Sequence, residues 1–101
     1  MGWAARACEA LRRGETVSLR PRGQSMRGRI ASGDRVTVAP CDPATLQVDD
    51  IVLVRLHGTE YLHLIKAVQG ERFLIGNNRG GINGWVGPHA IYGVATAVEP
   101  A

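Results

Sequence analysis

Apolar residues along this chain recur with two different periods. Between residues 2 and 13, Trp3, Ala7, Ala10 and Leu11 fall on one face at helical spacing. Ala4, Ala5, Ala7, Ala10, Leu11 and Arg12 are strong helix formers, and Gly14 supplies a stop. One short N-terminal helix is predicted there. From Thr16 onward the period becomes two. Val17 and Leu19 share one side of a strand over Thr16–Arg20, which Pro21 ends. Val36 and Val38 point inward from a strand over Arg35–Val38, and a loop with two prolines follows over Pro40–Leu46. Ile51–Leu56 is almost wholly apolar, as expected of a strand buried on both faces. A turn at Gly58-Thr59 joins it to a long strand over Glu60–Val68 as a hairpin. Gly70-Glu71 turns the chain into Arg72–Ile75. Residues Gly76–Gly87, with five glycines and three asparagines, read as a loop. Ile91–Val98 is the last strand. The pattern predicts a mainly β, small coiled β-barrel-like domain, with a β core over 16–98 and one short N-terminal helix.

A chain of 101 residues is one domain, long enough to bury a core without staples. Hydrophobic residues make up 45% and charged residues 21%, which excludes a disordered chain. No apolar run approaches the roughly 18 residues of a membrane span, and the first residues lack the apolar block of a secretory signal. A soluble cytoplasmic protein without a membrane anchor is expected. Cys8 and Cys41 fit no metal spacing and are expected to stay reduced, and no cofactor is implied. The net charge of +3 is unevenly spread. Residues 1–35 carry eight arginines and three acids, net +5, while residues 36–101 carry four basic and six acidic groups, net −2. An arginine-rich first third suits either a solvated surface or contact with an acidic partner or nucleic acid. With few aromatics for base stacking, nucleic acid is the weakest of these.

Chemistry concentrates at Gly23-Gln24-Ser25-Met26. A serine hydroxyl becomes a nucleophile only with a neighbouring base and with donors for the oxyanion. Gly23 permits unusual backbone angles ahead of Ser25 and could leave the Gln24 and Ser25 amides free as donors. The plainer reading of Ser25 is a turn serine bonded to its own backbone. The base must come from three histidines or the single lysine. His57 ends a strand and His89 lies in a proline-containing loop. His63 lies within a strand, where Tyr61, His63, Ile65 and Ala67 face one way and Leu62, Leu64, Lys66 and Val68 the other. His63 and Lys66 therefore do not both meet Ser25. Lys66 would be buried between Leu64 and Val68 unless the strand bulges. Histidine titrates near neutrality and acts without a large pKa shift, whereas lysine would first need burial. An ordinary strand histidine remains the alternative for His63.

In order along the chain, the motifs resemble those of the LexA-type and signal-peptidase superfamily of serine-dyad proteases. Gly23-Gln24-Ser25-Met26 is similar to the nucleophile box, and Ser32-Gly33-Asp34-Arg35-Val36 to the Gly-Asp-x-Val segment after it. Asp49-Asp50-Ile51-Val52 resembles the Gly-Asp-Ile-Val strand. Tyr61-Leu62-His63-Leu64-Ile65 resembles the base-bearing strand of the branch that uses histidine. Gly76-Asn77-Asn78-Arg79 resembles the Gly-Asp-Asn-Arg box, and Ile91-Tyr92-Gly93-Val94-Ala95 the closing strand. The resemblance covers residues 16 to 98. It implies a coiled β fold of the LexA/signal-peptidase type and hydrolysis of a peptide bond by Ser25 as nucleophile. His63 would be the general base, as in archaeal and endoplasmic-reticulum signal peptidases, with Lys66 the alternative base, three residues off register. Gln24 and Asn77 would support the oxyanion and the dyad.

Asn77 and Asn83 stand where that family carries acids, and Arg27-Gly28 where it carries proline. An asparagine orients a histidine but does not stabilise its charged form. Two readings follow. One is a soluble serine peptidase acting on a peptide or protein substrate. The other is a peptidase-like domain, catalytically weak or inactive, that binds an extended peptide by strand addition. A free sheet edge in so small a β domain could also pair with a second copy to give a homodimer.

Overall fold

The computed structural model describes residues 3–23 and 26–101. A helix, α1 (Trp3–Arg12), precedes seven strands: β1 (Val17–Leu19), β2 (Arg35–Ala39), β3 (Ile51–Leu56), β4 (Thr59–Gln69), β5 (Arg72–Gly76), β6 (Ile82–Val86) and β7 (Ile91–Glu99). Single 3-10 turns at Pro43–Thr45 and Pro88–Ala90 precede β3 and β7. The strands form one antiparallel sheet in the order β1-β2-β7-β3-β4-β5-β6. The mainly β class and the single short helix match the periodicity. The sheet is open, however, with β1 at one end and β6 at the other.

β3 follows its apolar run. Ile51 and Leu53 enter one core, with Leu19, Val36, Val38, Leu62 and Leu64, beneath Ala7, Cys8 and Leu11 of α1. Val52, Val54 and Leu56 enter a second core with Ile65, Phe73, Ile75, Val86 and Ile91. Two apolar faces on one curled sheet explain why so short a chain hides so many β-branched residues. Cys8 and Cys41 are unpaired and lie against different cores, and burial pushes both thiols up from their ordinary pKa.

Three local details depart from the periodicity. The hairpin turn falls on His57-Gly58, both at positive φ (52° and 78°), so that Leu56 faces Thr59. This is the mirror-image turn whose twist suits a two-residue hairpin. The glycine-rich segment 76–87 is not all loop, because β6 pairs with β5 along it. Its register shifts between Gly76 and Ile75, where Asn83 is the extra residue, and Gly84 sits at φ 142°. Such a strand carries too little alternation to show in a hydrophobic pattern. The third detail is in β4. Ile65 pairs with Ile75 and Ala67 with Leu74, which leaves Lys66 as a bulge residue. The bulge relieves the burial that regular alternation would impose on Lys66, and the side chain is only half-buried.

α1 can lie close to the sheet because β7 carries Gly93 where it passes beneath Leu11. A Cβ there would meet the Ala39 carbonyl oxygen at 2.6 Å, Val38 Cγ1 at 2.9 Å and Leu11 Cδ2 at 3.1 Å. Two of these atoms belong to β2, so the strain cannot be relieved by one flexible side chain. Gly93→Ala is expected to cost about 1–3 kcal/mol, seen as a lower urea midpoint. Gly87→Ala, with nothing within 4 Å of its Cβ, is expected to stay within about 0.5 kcal/mol of wild type. Equal midpoints for the two variants would contradict this packing.

Candidate functional site

β4 is paired on both sides for only part of its length. β3 covers Thr59–Leu64 and β5 covers Leu64–Gln69. Residues 59–63 therefore have β3 on one side and no described strand on the other. The two-residue hairpin makes Leu56 and Thr59 a hydrogen-bonded pair, and alternation then makes Val54/Tyr61 and Val52/His63 bonded pairs too. Glu60 and Leu62 are left to turn their backbone groups away from β3. Those groups face a cavity of about 460 Å³. One wall is Glu60, Tyr61, Leu62 and His63, the other is Ser18 to Gly23, and Met26, Ile30 and Ala31 complete it.

His63 is the single buried polar residue of the core, at 4% exposure among the described residues. Its ring lies beside that of Tyr61, with centroids 4.8 Å apart. Its Nδ1 is 2.6 Å from the Leu62 carbonyl oxygen. A carbonyl only accepts, so Nδ1 carries the proton and Nε2 keeps its lone pair. Burial lowers the pKa from its ordinary 6.5, outweighing the Leu62 hydrogen bond, which raises it. The result is a neutral imidazole in a defined tautomer, with one nitrogen available as a proton acceptor.

Ser25 and Gln24, the expected nucleophile and oxyanion residue, lie outside the described residues. Gly23 and Met26, on either side of the pair, both line the cavity that His63 lines. Gly23 N–H donates to Ser32 Oγ at 3.3 Å, and Gly33 N–H donates to the Pro21 carbonyl at 3.0 Å. After the pair, Arg29 and Ile30 N–H groups donate to the Met26 carbonyl, and Met26 and Ile30 are buried with Leu62 and Leu64. The Ser32-Gly33-Asp34 segment thus braces the irregular stretch between β1 and the serine box. Asp34 itself accepts from Ala31 N–H at 2.8 Å.

Lys66 is not among the residues lining this cavity. Its side chain runs beside Gly76, where a Cβ would meet Lys66 Cγ at 3.0 Å. Asn77 is engaged within its own loop, its Oδ1 accepting from the N–H groups of Arg79 and Gly81 at 2.9 Å each. The orienting acceptor on the His63 ring is the Leu62 carbonyl, a backbone atom that no side-chain motif reveals. Asn78 has a role that its place in the box did not suggest, since its Nδ2 donates to the Arg27 carbonyl at 2.8 Å and fastens the β5–β6 loop to the serine box. Asn83 Oδ1 is buried without a hydrogen-bond partner among the described residues. His57 and His89 are exposed. No helix among the described residues is long and apolar enough to cross a membrane. No family model and no curated protein sequence matches the chain.

The depressed pKa of His63 has a defined consequence for stability. The unfolded chain takes up the proton at a higher pH than the folded one. Stability from the neutral ring is complete above about pH 6.5 and is lost as pH falls through the lower folded value. The stability advantage of wild type over His63→Gln is expected to shrink as pH drops from 8 to 5, read from urea unfolding at each pH. Nitrogen NMR at pH 7 is expected to show a protonated Nδ1 and a bare Nε2. A pH-independent difference, or the opposite tautomer, would contradict the environment described for this ring.

Proposed function

We propose that this protein is a serine peptidase of the LexA/signal-peptidase type, with a Ser25/His63 dyad that hydrolyses a peptide bond. The observation that carries the proposal is the state of His63. It is buried and neutral, fixed through Nδ1, and it lines the same cavity as both neighbours of the Gln24-Ser25 pair. A base with a pKa below neutrality is already in its active form at pH 7. Ser25 Oγ attacks the peptide carbonyl while His63 Nε2 takes its proton. The same proton passes to the leaving amine, and water then hydrolyses the acyl-enzyme by the reverse relay. Gln24 and Ser25 backbone amides hold the oxyanion. The Leu62 carbonyl does the orienting that a carboxylate does in a triad, which accommodates asparagine at positions 77 and 83.

The backbone groups of Glu60 and the N–H of Leu62, which no described strand pairs, favour an extended substrate, laid along β4 as an added strand. The same edge supports a second reading, a peptide-binding domain without turnover. Its specific support is Asn77, whose carboxamide is committed to Arg79 and Gly81.

Hydrolysis of a fluorogenic peptide library separates the two. Ser25→Ala and His63→Ala are each expected to lower kcat/KM by at least about a thousandfold. Lys66→Ala is expected to stay within about threefold of wild type. Equal rates for wild type, Ser25→Ala and His63→Ala would remove the peptidase reading. Loss on Lys66→Ala with retention on His63→Ala would move the base to Lys66.

A further inference from the structure

The walls of the cavity differ in charge from the rest of the surface. Arg20 and Arg22 line it, whereas Arg29 donates to the Asp49 carbonyl and lines a separate cleft with Asp49 and Asp50. The ion pairs among the described residues are Arg13–Glu15, Arg35–Glu99 and Arg55–Glu60. None involves Arg20 or Arg22. The one acid on the cavity wall, Glu60, is already neutralised by Arg55, with Nε 3.0 Å from its carboxylate. The acids that flank Arg20 and Arg22 in sequence are engaged elsewhere: Glu15 pairs with Arg13, and Asp34 turns one carboxylate oxygen to the Ala31 N–H and the other to the Ala101 N–H. The cavity lining therefore holds two arginines without an ion-pair partner among the described residues and one acid that already has one.

The Arg20 guanidinium is also held in place. Arg20 donates through Nη1 to the Gly33 carbonyl at 3.3 Å, Gly33 N–H donates to the Pro21 carbonyl, and Gly23 N–H donates to Ser32 Oγ. The arginine-bearing segment 20–23 is thus tied to the 32–33 turn at three successive points. A preorganised guanidinium loses less entropy on meeting a carboxylate than one on a free arm. Opposite it, β4 offers the backbone groups of Glu60 and the N–H of Leu62 without a described strand partner, and Leu19 and Leu62 give the cavity an apolar floor.

We propose that the segment bound in this cavity is acidic: an extended peptide that pairs its backbone with β4 and sets aspartate or glutamate side chains against Arg20 and Arg22. This deepens the peptidase reading and rests on it for the outcome of binding, but not for the charge preference itself. Nucleic acid would also answer to the arginines. Peptide is favoured because the facing wall is a free strand edge, and because the lining offers one aromatic ring, Tyr61, which is engaged with His63.

The test uses Ser25→Ala full-length protein, fluorescent extended peptides in matched pairs with Glu or Gln at alternate positions, and a single-stranded oligonucleotide. At low salt the Glu peptides are expected to bind about tenfold more tightly than their Gln partners, and to lose most of that margin at 0.5 M salt. Arg20→Gln with Arg22→Gln is expected to bring both members of a pair to the same affinity, with an unchanged circular dichroism spectrum. Wild-type hydrolysis of the same pairs is the second arm. Equal binding of Glu and Gln peptides, no binding of any peptide, or tighter binding of the oligonucleotide than of every peptide would overturn the proposal. Glu preference without hydrolysis leaves it standing and removes the peptidase reading. Hydrolysis without Glu preference does the reverse.

Discussion

β4 is longer than either strand that pairs with it, and this mismatch shapes the molecule. It has eleven residues, against six in β3 and five in β5. Because the two neighbours cover opposite ends, the first half of β4 keeps a free edge inside a folded domain. An exposed edge is ordinarily a hazard that proteins blunt or cover. Here it is sheltered as one wall of a cavity, and His63 sits at the point where pairing to β5 begins. The same strand relieves its other difficulty with a bulge at Lys66, which takes the only lysine out of the core and away from the cavity.

The state of His63 follows from that position. Alternation on β4 sends the ring into a buried site, where the neutral form is favoured over the charged one. The adjacent carbonyl of Leu62, freed from strand pairing, then fixes the tautomer. A side-chain carboxylate is not needed for this task, so asparagine at positions 77 and 83 is compatible with a working base. Asn77 and Asn78 have structural tasks instead, one closing its own loop and the other fastening that loop to the backbone after the serine box.

Much of this was legible in the residues. Ile51–Leu56 declares itself as a doubly buried strand by its unbroken apolar run, and Trp3–Arg12 as a helix by its alanines and its face. β6 is hidden because its glycine and asparagine break the alternation, and because Ile82 and Trp85 remain exposed. Lys66 at a bulge is foreseeable only as one of two ways out of an unfavourable burial. The Leu62 carbonyl is invisible to any motif, since it is a backbone atom made available by where β5 stops. Cavity charge was visible only as a surplus of arginine in residues 1–35. What concentrates it is the pairing of Glu60 with Arg55, which leaves Arg20 and Arg22 unopposed.

The central claim is that Ser25 is activated by a neutral His63. Labelling by a fluorophosphonate probe measures that activation directly, because the probe reacts with an activated serine hydroxyl irrespective of peptide preference. Wild type is expected to label at pH 7 with a rate that falls only below the ordinary histidine range, and His63→Ala and Ser25→Ala are expected not to label. Labelling of His63→Ala at the wild-type rate, or no labelling of wild type at any pH from 5 to 9, would contradict it.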